Sequence, residues 1–268
     1  MAQQDDVKAA SSPDTMDVER GAEQMRERTP DLEKDLPTRM GWKEWIVERV
    51  NFSWFPATQS TGGVAVVLSE CPKQFDGLQT IGTIIFIFNL VAFLIITGLM
   101  ITRWILCPEK LKKSFINPPE CFFYGSWWLT IATIIICMQR FGVPNSGPWL
   151  IVAIRVCFWI YGACTLLSTI IVFNMHGKHT PIPHMGMNPG ILLTVFHAML
   201  TGTIASAIVA DQPNHHRLPI MVAAVGFQGY GWTMSLLYMA FILASQLEKG
   251  WAALDVRPGL FVTLPSIL

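Results

Sequence analysis

Residues 52–68 read FSWFPATQSTGGVAVVL and contain no charged residue. Three aromatic residues stand at the start, Pro56 follows in what would be the first helical turn, and the middle is small and hydroxylated. A helix of about 17 residues is roughly 25 Å long, which is close to the thickness of a bilayer core. Lipid-facing helices are usually bulky and aliphatic. This composition therefore predicts a membrane helix with one face suited to close helix packing or to the wall of a conduit.

Five further apolar segments follow, at about residues 78–106, 121–140, 148–173, 190–210 and 218–247. Each reaches the roughly 17–25 residues that a spanning helix needs. The whole chain agrees with this pattern, since 51% of its 268 residues are hydrophobic and 14% are charged, whereas soluble domains carry about 25% charged residues. We predict an all-α membrane protein with six transmembrane helices in a transporter domain at residues 52–261.

The residues before this domain are of a different kind. Residues 1–40 are polar and charged and predict a disordered cytoplasmic tail. Residues 41–51 place Trp42, Trp45, Ile46 and Arg49 at helical spacing, which predicts an amphipathic helix in the membrane interface. Basic residues cluster before the first apolar segment and in the loop at 103–121, so the positive-inside rule predicts a cytoplasmic N-terminus.

Charge is unevenly distributed along the chain. Twelve of the 19 acidic residues but eight of the 19 basic residues lie at positions 1–49, which leaves seven acidic and eleven basic residues for the rest. A membrane domain with a positive balance favours anionic partners, either lipid headgroups or an anionic substrate.

The first, third and fifth apolar segments each carry small and hydroxylated residues on one helical face. The second segment is aliphatic and aromatic, with Asn89 as its polar exception. One interpretation is that the odd-numbered helices line an inner wall while the even-numbered helices face lipid. The other is that the small faces only let helices pack closely. The predicted substrate-pathway residues in these segments are Thr58, Ser60, Thr61, Gly62, Gly63, Thr130, Thr133, Thr194, Thr201 and Gly202.

Two ionisable residues inside the apolar segments complete the predicted pathway. Arg155 stands about seven residues into the fourth segment, where its charge could attract an anion or could snorkel to the nearer interface. His197 stands one turn before Thr201. A histidine titrates near physiological pH and could couple protons to transport, or it could simply hydrogen-bond to a neighbouring helix.

The sequence contains no pattern typical of an enzyme or of a cofactor site. No nucleotide-binding loop, catalytic triad or paired carboxylates occur in the apolar segments, so we predict no enzymatic activity, no cofactor and no nucleic-acid partner. The six cysteines form no CxxC pair and are interpreted as packing residues. His176, His179 and His184 share one loop without a carboxylate or cysteine beside them, so no metal site is predicted.

Several stretches, in this order and spacing, resemble the tellurite-resistance/dicarboxylate transporter family, especially its fungal malate permease branch. They are WFPATQSTGGVAVVLS at 54–69, FYGSWWLTIATIII at 123–136, RVCFWIY at 155–161, MNP at 187–189, AMLTGTIAS at 198–206, FQG at 227–229 and RPGLF at 257–261. The resemblance implies ten helices as five hairpins around a central pore, a plasma-membrane location and a homotrimer. It also implies a small organic anion substrate, malate or another C4-dicarboxylate, with sulfite efflux and slow-type anion channels as related activities.

Two positions depart from the family pattern. Residues 262–268 do not continue into a seventh helix, so the resemblance implies six of ten helices and a C-terminally truncated chain. His197 stands where family members often have Pro. The functional hypotheses are therefore a malate transporter that carries its substrate as the monoanion, a sulfite efflux pump, and a non-transporting fragment or interaction subunit.

Overall fold

The computed structural model describes residues 41–116, 120–179 and 192–250. The chain divides into two compact units, residues 1–42 and residues 43–268, and the second contains the predicted transporter domain. The predicted tail at 1–40, the predicted divergent segment at 262–268 and His184 lie outside the described residues, as do the side chains of His176 and His179.

The described residues form α-helices joined by short 3₁₀ and π turns, in agreement with the predicted all-α fold. The α-helices are α1 Trp42–Arg49, α2 Phe55–Ser69, α3 Leu78–Leu106, α4 Pro108–Ile116, α5 Tyr124–Cys137, α6 Trp149–His179, α7 Leu193–Ile208 and α8 Asn214–Lys249. With their flanking turns, α3, α5, α6, α7 and α8 are long and apolar enough to cross a membrane. The chain is an all-α, multi-pass membrane protein.

The first predicted membrane segment is built differently from these five. It consists of a 3₁₀ turn at Phe52–Trp54 followed by the 15 residues of α2. The side chain of Asn51 caps the turn by accepting a hydrogen bond from the Ser53 N–H at 3.1 Å. Pro56 lies in the first turn of α2, where the missing N–H costs nothing. Turn and helix together span roughly 28 Å, so this segment is shorter than the other five but comparable to a bilayer core.

Helices α2, α5 and α7 form the inner row of the fold. Helix α5 packs against both α2 and α7, while α3 packs on α2, α6 packs mainly on α7 and also on α5, and α8 packs on α7. Over their most apolar 18 residues, 56% of α5 with its flanking turns and 67% of α7 are buried, against 17% of α3 and of α8. By this measure α6 is intermediate at 39%, and the predicted division into inner and outer helices stays a prediction.

A buried arginine fixes one end of this arrangement, here called the α4 end. The Arg103 side chain is 7% exposed and forms an ion pair with Glu120 at 2.7 Å. It also donates to the Ser114 hydroxyl at 3.2 Å and to the Val47 carbonyl at 3.2 Å. A buried guanidinium needs several partners to offset its lost hydration. These contacts tie α1, α3 and α4 to the start of the 3₁₀ turn that precedes α5.

Candidate functional site

The predicted pathway residues of α2 and α5 meet along the contact between these two helices. The hydroxyl oxygens of Thr58 and Thr130 are 3.1 Å apart, and both side chains are buried. The Thr58 hydroxyl also lies 2.9 Å from the Phe55 carbonyl, and Thr130 donates to the Ser126 carbonyl at 2.9 Å. The structure therefore brings Thr58 and Thr130 together in a helix-packing contact.

Two adjacent glycines on α2 have opposite surroundings. A Cβ on Gly62 would overlap Thr133 Oγ1 of α5 and Asn89 Nδ2 of α3, whereas a Cβ on Gly63 would meet no atom within 4 Å. Gly62 thus permits the close approach of three helices. Thr133 nevertheless remains partly exposed.

The hydroxyl groups of Ser60 and Thr61, near the middle of α2, bond to their own helix. Ser60 is exposed and Thr61 is partly exposed, and both donate to the Ala57 carbonyl, at 3.0 Å and 2.8 Å. These are hydrogen bonds that a hydroxyl can exchange for a ligand at little cost. Among the predicted residues of α2, Thr61 and Gly63 lie at the edge of the exposed face.

Helix α7 presents Thr201 and Gly202 to the outer helices instead. Thr194, His197, Thr201 and Gly202 are all buried. A Cβ on Gly162 of α6 would lie 3.2 Å from the Thr201 methyl group, and Gly202 packs against the Gln228 side chain of α8. The partly open face of α7 carries Thr203 and Ser206.

This placement corrects the predicted inner face of α7. The small residues there accommodate α6 and α8, because both outer helices approach α7 closely. Thr203 was not predicted, although it lies one position from Gly202. The Thr203 hydroxyl accepts a 3.4 Å hydrogen bond from Gln228. The sequence pattern around Gly202 did not indicate which face of α7 Thr203 would occupy.

His197 is held on both ring nitrogens. Its Nε2 lies 3.0 Å from the Thr169 hydroxyl of α6, and its Nδ1 lies 3.3 Å from the Leu193 carbonyl. Its ring stacks on Trp128 with ring centres 6.4 Å apart, and the side chain is fully buried. This geometry matches the interpretation of His197 as a hydrogen-bonded link between helices.

Arg155 lies at the end of the fold opposite α4, here called the Arg155 end. Its Nη1 donates to Gln212 Oε1 at 3.3 Å, and Gln212 itself donates to the Ile151 carbonyl at 3.3 Å. Gln212 follows the 3₁₀ turn at the end of α7, so the guanidinium reaches the end of the helix row rather than its middle. The geometry therefore matches the interpretation in which Arg155 reaches the nearer interface.

Two more arginines stand at the Arg155 end. Arg217 donates to the Gln212 carbonyl at 2.7 Å and to the Ala210 carbonyl at 2.8 Å, and Arg140 is ion-paired with Glu70. Asp211 accepts a 2.6 Å hydrogen bond from a neutral partner, the Gln139 amide. Among the described residues, neither Arg155 nor Arg217 has a carboxylate within ion-pair distance.

This end consequently has positive charge that no direct ion pair cancels. Sequence reasoning identified Arg155 but missed Arg217 and Gln212. Both follow α7 in the chain, whereas Arg155 lies on α6, and only the packing of α6, α7 and α8 brings the three residues together.

Two cavities among the described residues lie away from the predicted pathway residues. One of about 390 Å³ opens between α4, α5 and α6, and the Tyr124 and Ser168 hydroxyls on its wall are 2.9 Å apart. A second, of about 140 Å³, is lined mainly by apolar side chains of α2, α3 and α5 and the turn before α2. Neither cavity is lined by a predicted pathway residue. In the part of the chain that the structure describes, no group of three His, Cys, Asp or Glu residues is positioned to bind a metal.

Comparison with known proteins decides the family. The voltage-dependent anion channel family matches residues 49–265. The chain belongs to this family. Two proteins of Schizosaccharomyces pombe named for malic acid transport are 32% and 29% identical to it over 216 residues, which are 81% of this chain and 50% and 49% of theirs. A sulfite efflux pump of Trichophyton rubrum is 26% identical over 205 residues, or 76% of this chain and 54% of its own.

The chain thus spans about half the length of the curated relatives it matches. No solved structure gives a significant match. The family resemblance that the sequence predicted is confirmed, as is the prediction that the chain is not an enzyme, because the family and these relatives are channels and transporters.

Proposed function

We propose that this chain moves small organic anions across a membrane, and that malate or another C4-dicarboxylate is its substrate. The observation that carries the proposal is the Arg155 end, where the charges of Arg155 and Arg217 are offset by neutral acceptors only. The two relatives named for malic acid transport support the choice of substrate.

The arginines would act by concentrating the anion at the Arg155 end. A unit negative charge about 8 Å from one guanidinium gains roughly 0.5–2 kcal/mol, depending on how much water screens the pair. The effect on transport would appear mainly in the substrate concentration that gives half-maximal rate. It would weaken in high salt, as surface electrostatics do.

Beyond the arginines, hydroxyl groups would replace part of the water shell of the anion. Thr61, Thr133 and Thr203 are three of the partly exposed hydroxyl residues of the inner row. No Asp or Glu stands deep in the apolar segments to repel the anion or to carry a proton separately. A proton would therefore cross with the substrate, as its monoanion.

Location, orientation and assembly belong to the same proposal. The basic residues Lys43, Arg49, Arg103 and Lys110 lie at the α4 end, so we infer that this end faces the cytoplasm and that the Arg155 end faces outward. A plasma-membrane location and a trimer follow from the family resemblance. Protease accessibility of an N-terminal tag in sealed vesicles tests the orientation, and chemical cross-linking in the membrane tests the trimer.

The transport experiment compares labelled malate uptake by cells that express the chain with uptake by cells that carry an empty vector. Uptake should exceed the control and be greater at acid pH than at neutral pH, because more malate is then monoanionic. Arg155→Gln should raise the half-saturating malate concentration about 2–30-fold, the equivalent of 0.5–2 kcal/mol. The double variant Arg140→Gln/Glu70→Gln is the matched control at the same end, because it removes an ion pair and leaves the net charge unchanged.

Uptake equal to that of the empty vector at both pH values would contradict the proposal for this chain. An equal effect of Arg155→Gln and of this double variant would contradict the role of Arg155.

Sulfite export is a second candidate, favoured by the sulfite efflux pumps among the relatives. Sulfite is also a small oxyanion, and the same arginines and hydroxyls could serve it. Sulfite sensitivity of a deletion strain that is rescued by this chain, without malate uptake, would favour this candidate over the first.

A further inference from the structure

Asn89 is buried in α3 without a hydrogen-bond partner. It is the one amide-bearing residue within the otherwise aliphatic and aromatic middle of α3, and it is 1% exposed. Neither Oδ1 nor Nδ2 finds a partner among the described residues. An unpaired amide at membrane depth is costly, since no water is at hand to satisfy it. Its position therefore calls for a function beyond packing.

The Asn89 amide reaches between the two helices that carry most of the predicted pathway. Its Nδ2 and the Thr133 Oγ1 flank the same point, the place that a Cβ on Gly62 would occupy. Gly62 thus leaves room for the amide of an outer helix to approach a hydroxyl of the inner row. Thr133 is itself partly exposed on α5.

The Thr133 hydroxyl donates its hydrogen bond within its own helix. It donates to the Thr130 carbonyl at 2.8 Å, which is a bond that a hydroxyl can rotate away from. Once turned toward an anion, the same oxygen would have its lone pairs free to accept from Asn89 Nδ2. A hydroxyl that accepts a hydrogen bond is also a better donor, because chains of hydrogen bonds polarise one another.

We propose that Asn89 is a positioning residue for the transported anion and acts through Thr133. In the anion-bound state the Asn89 amide donates to the Thr133 oxygen, and the Thr133 O–H donates to a carboxylate oxygen of the substrate. The inference rests on the proposed function, and it adds a residue of an outer helix to the substrate pathway.

A double-mutant cycle tests this chain of contacts. Asn89→Leu should raise the half-saturating malate concentration about 5–10-fold with little change in maximal rate, and Thr133→Val should do the same. The double variant should be no worse than the poorer single variant, because each substitution breaks the same two-step contact.

Stability separates this role from a merely structural one. Asn89→Leu removes an unpartnered buried amide, so its melting temperature in detergent should equal or exceed that of the wild type. Ser235→Ala is the matched control, because Ser235 on α8 is equally buried and its hydroxyl is unpartnered among the described residues. It should leave the half-saturating concentration unchanged. If Asn89→Leu does not fold, Asn89→Ala replaces it in the cycle.

The outcomes are distinguishable. If the wild-type chain takes up malate but the Asn89 variant keeps the wild-type half-saturating concentration, the inference fails and the proposed function stands. Effects that add in the double variant also overturn it, since Asn89 would then act independently of Thr133. If the wild type takes up no malate, the proposed function fails and the inference falls with it.

Discussion

The neighbouring glycines Gly62 and Gly63 of α2 allow a prediction about stability in which the alanine variant of one serves as the control for the alanine variant of the other. Gly62→Ala places a methyl group against the Thr133 and Asn89 side chains, whereas Gly63→Ala places it in open space. Alanine is better than glycine in a helix by about 0.5–1 kcal/mol, and both variants gain this amount. The difference between them therefore isolates the cost of overpacking, which is about 1–3 kcal/mol.

The atoms around Gly62 have little room to yield. Thr133 is β-branched, so its side chain can move its Oγ1 away from the new methyl group only by changing its restricted χ1 rotamer. At roughly 2–4 °C per kcal/mol, Gly62→Ala should melt about 2–12 °C below Gly63→Ala. The assay is thermal unfolding of the purified variants in one detergent. Unfolding is monitored by the increase in the reactivity of buried cysteines. Equal melting temperatures, or a more stable Gly62→Ala, would refute the packing of α2 described above.

Two further predictions use the same unfolding assay. Glu120→Gln leaves the Arg103 charge buried without a counter-ion and should lower the free energy of unfolding by about 2–4 kcal/mol. Glu70→Gln breaks a half-exposed pair and should lower it by less than about 1 kcal/mol. A larger loss of stability for Glu70→Gln than for Glu120→Gln would contradict the buried pair. Thr58→Val removes the hydrogen bond between two buried hydroxyls and should lower the free energy of unfolding by about 0.5–1.5 kcal/mol. Ser60→Ala changes an exposed residue and should be close to neutral. Equal losses of stability in the two variants would contradict the α2–α5 contact.

Most of the fold could be predicted from the sequence, because hydrophobic length is the main determinant of a membrane helix. The predicted segment at 78–106 coincides with α3, Leu78–Leu106, and the predicted helix at 41–51 contains α1. The ends were less predictable. Helix α8 begins at Asn214 and contains Pro219 as its sixth residue, although a proline at that depth removes one backbone hydrogen bond of the helix.

The candidate site was predictable only in part. A small, hydroxylated face shows where a helix can be approached closely, and on α2 and α5 the partner was the neighbouring inner helix. On α7 the same kind of face receives α6 and α8, as the contacts of Thr201 and Gly202 show. Periodicity identifies a face but not the neighbour that covers it. The pairing of Arg155 with Gln212 depended on the packing of distant segments, which no local pattern encodes.

The central claim is most directly tested by anion flux through the purified chain in liposomes. Labelled malate should enter vesicles that contain the chain faster than protein-free vesicles, the rate should saturate, and excess unlabelled malate should compete. Arg155→Gln should shift the saturation to higher concentration, while the double variant Arg140→Gln/Glu70→Gln does not. Malate entry no faster than into protein-free vesicles, with folded protein shown to be present in the bilayer, would contradict the claim.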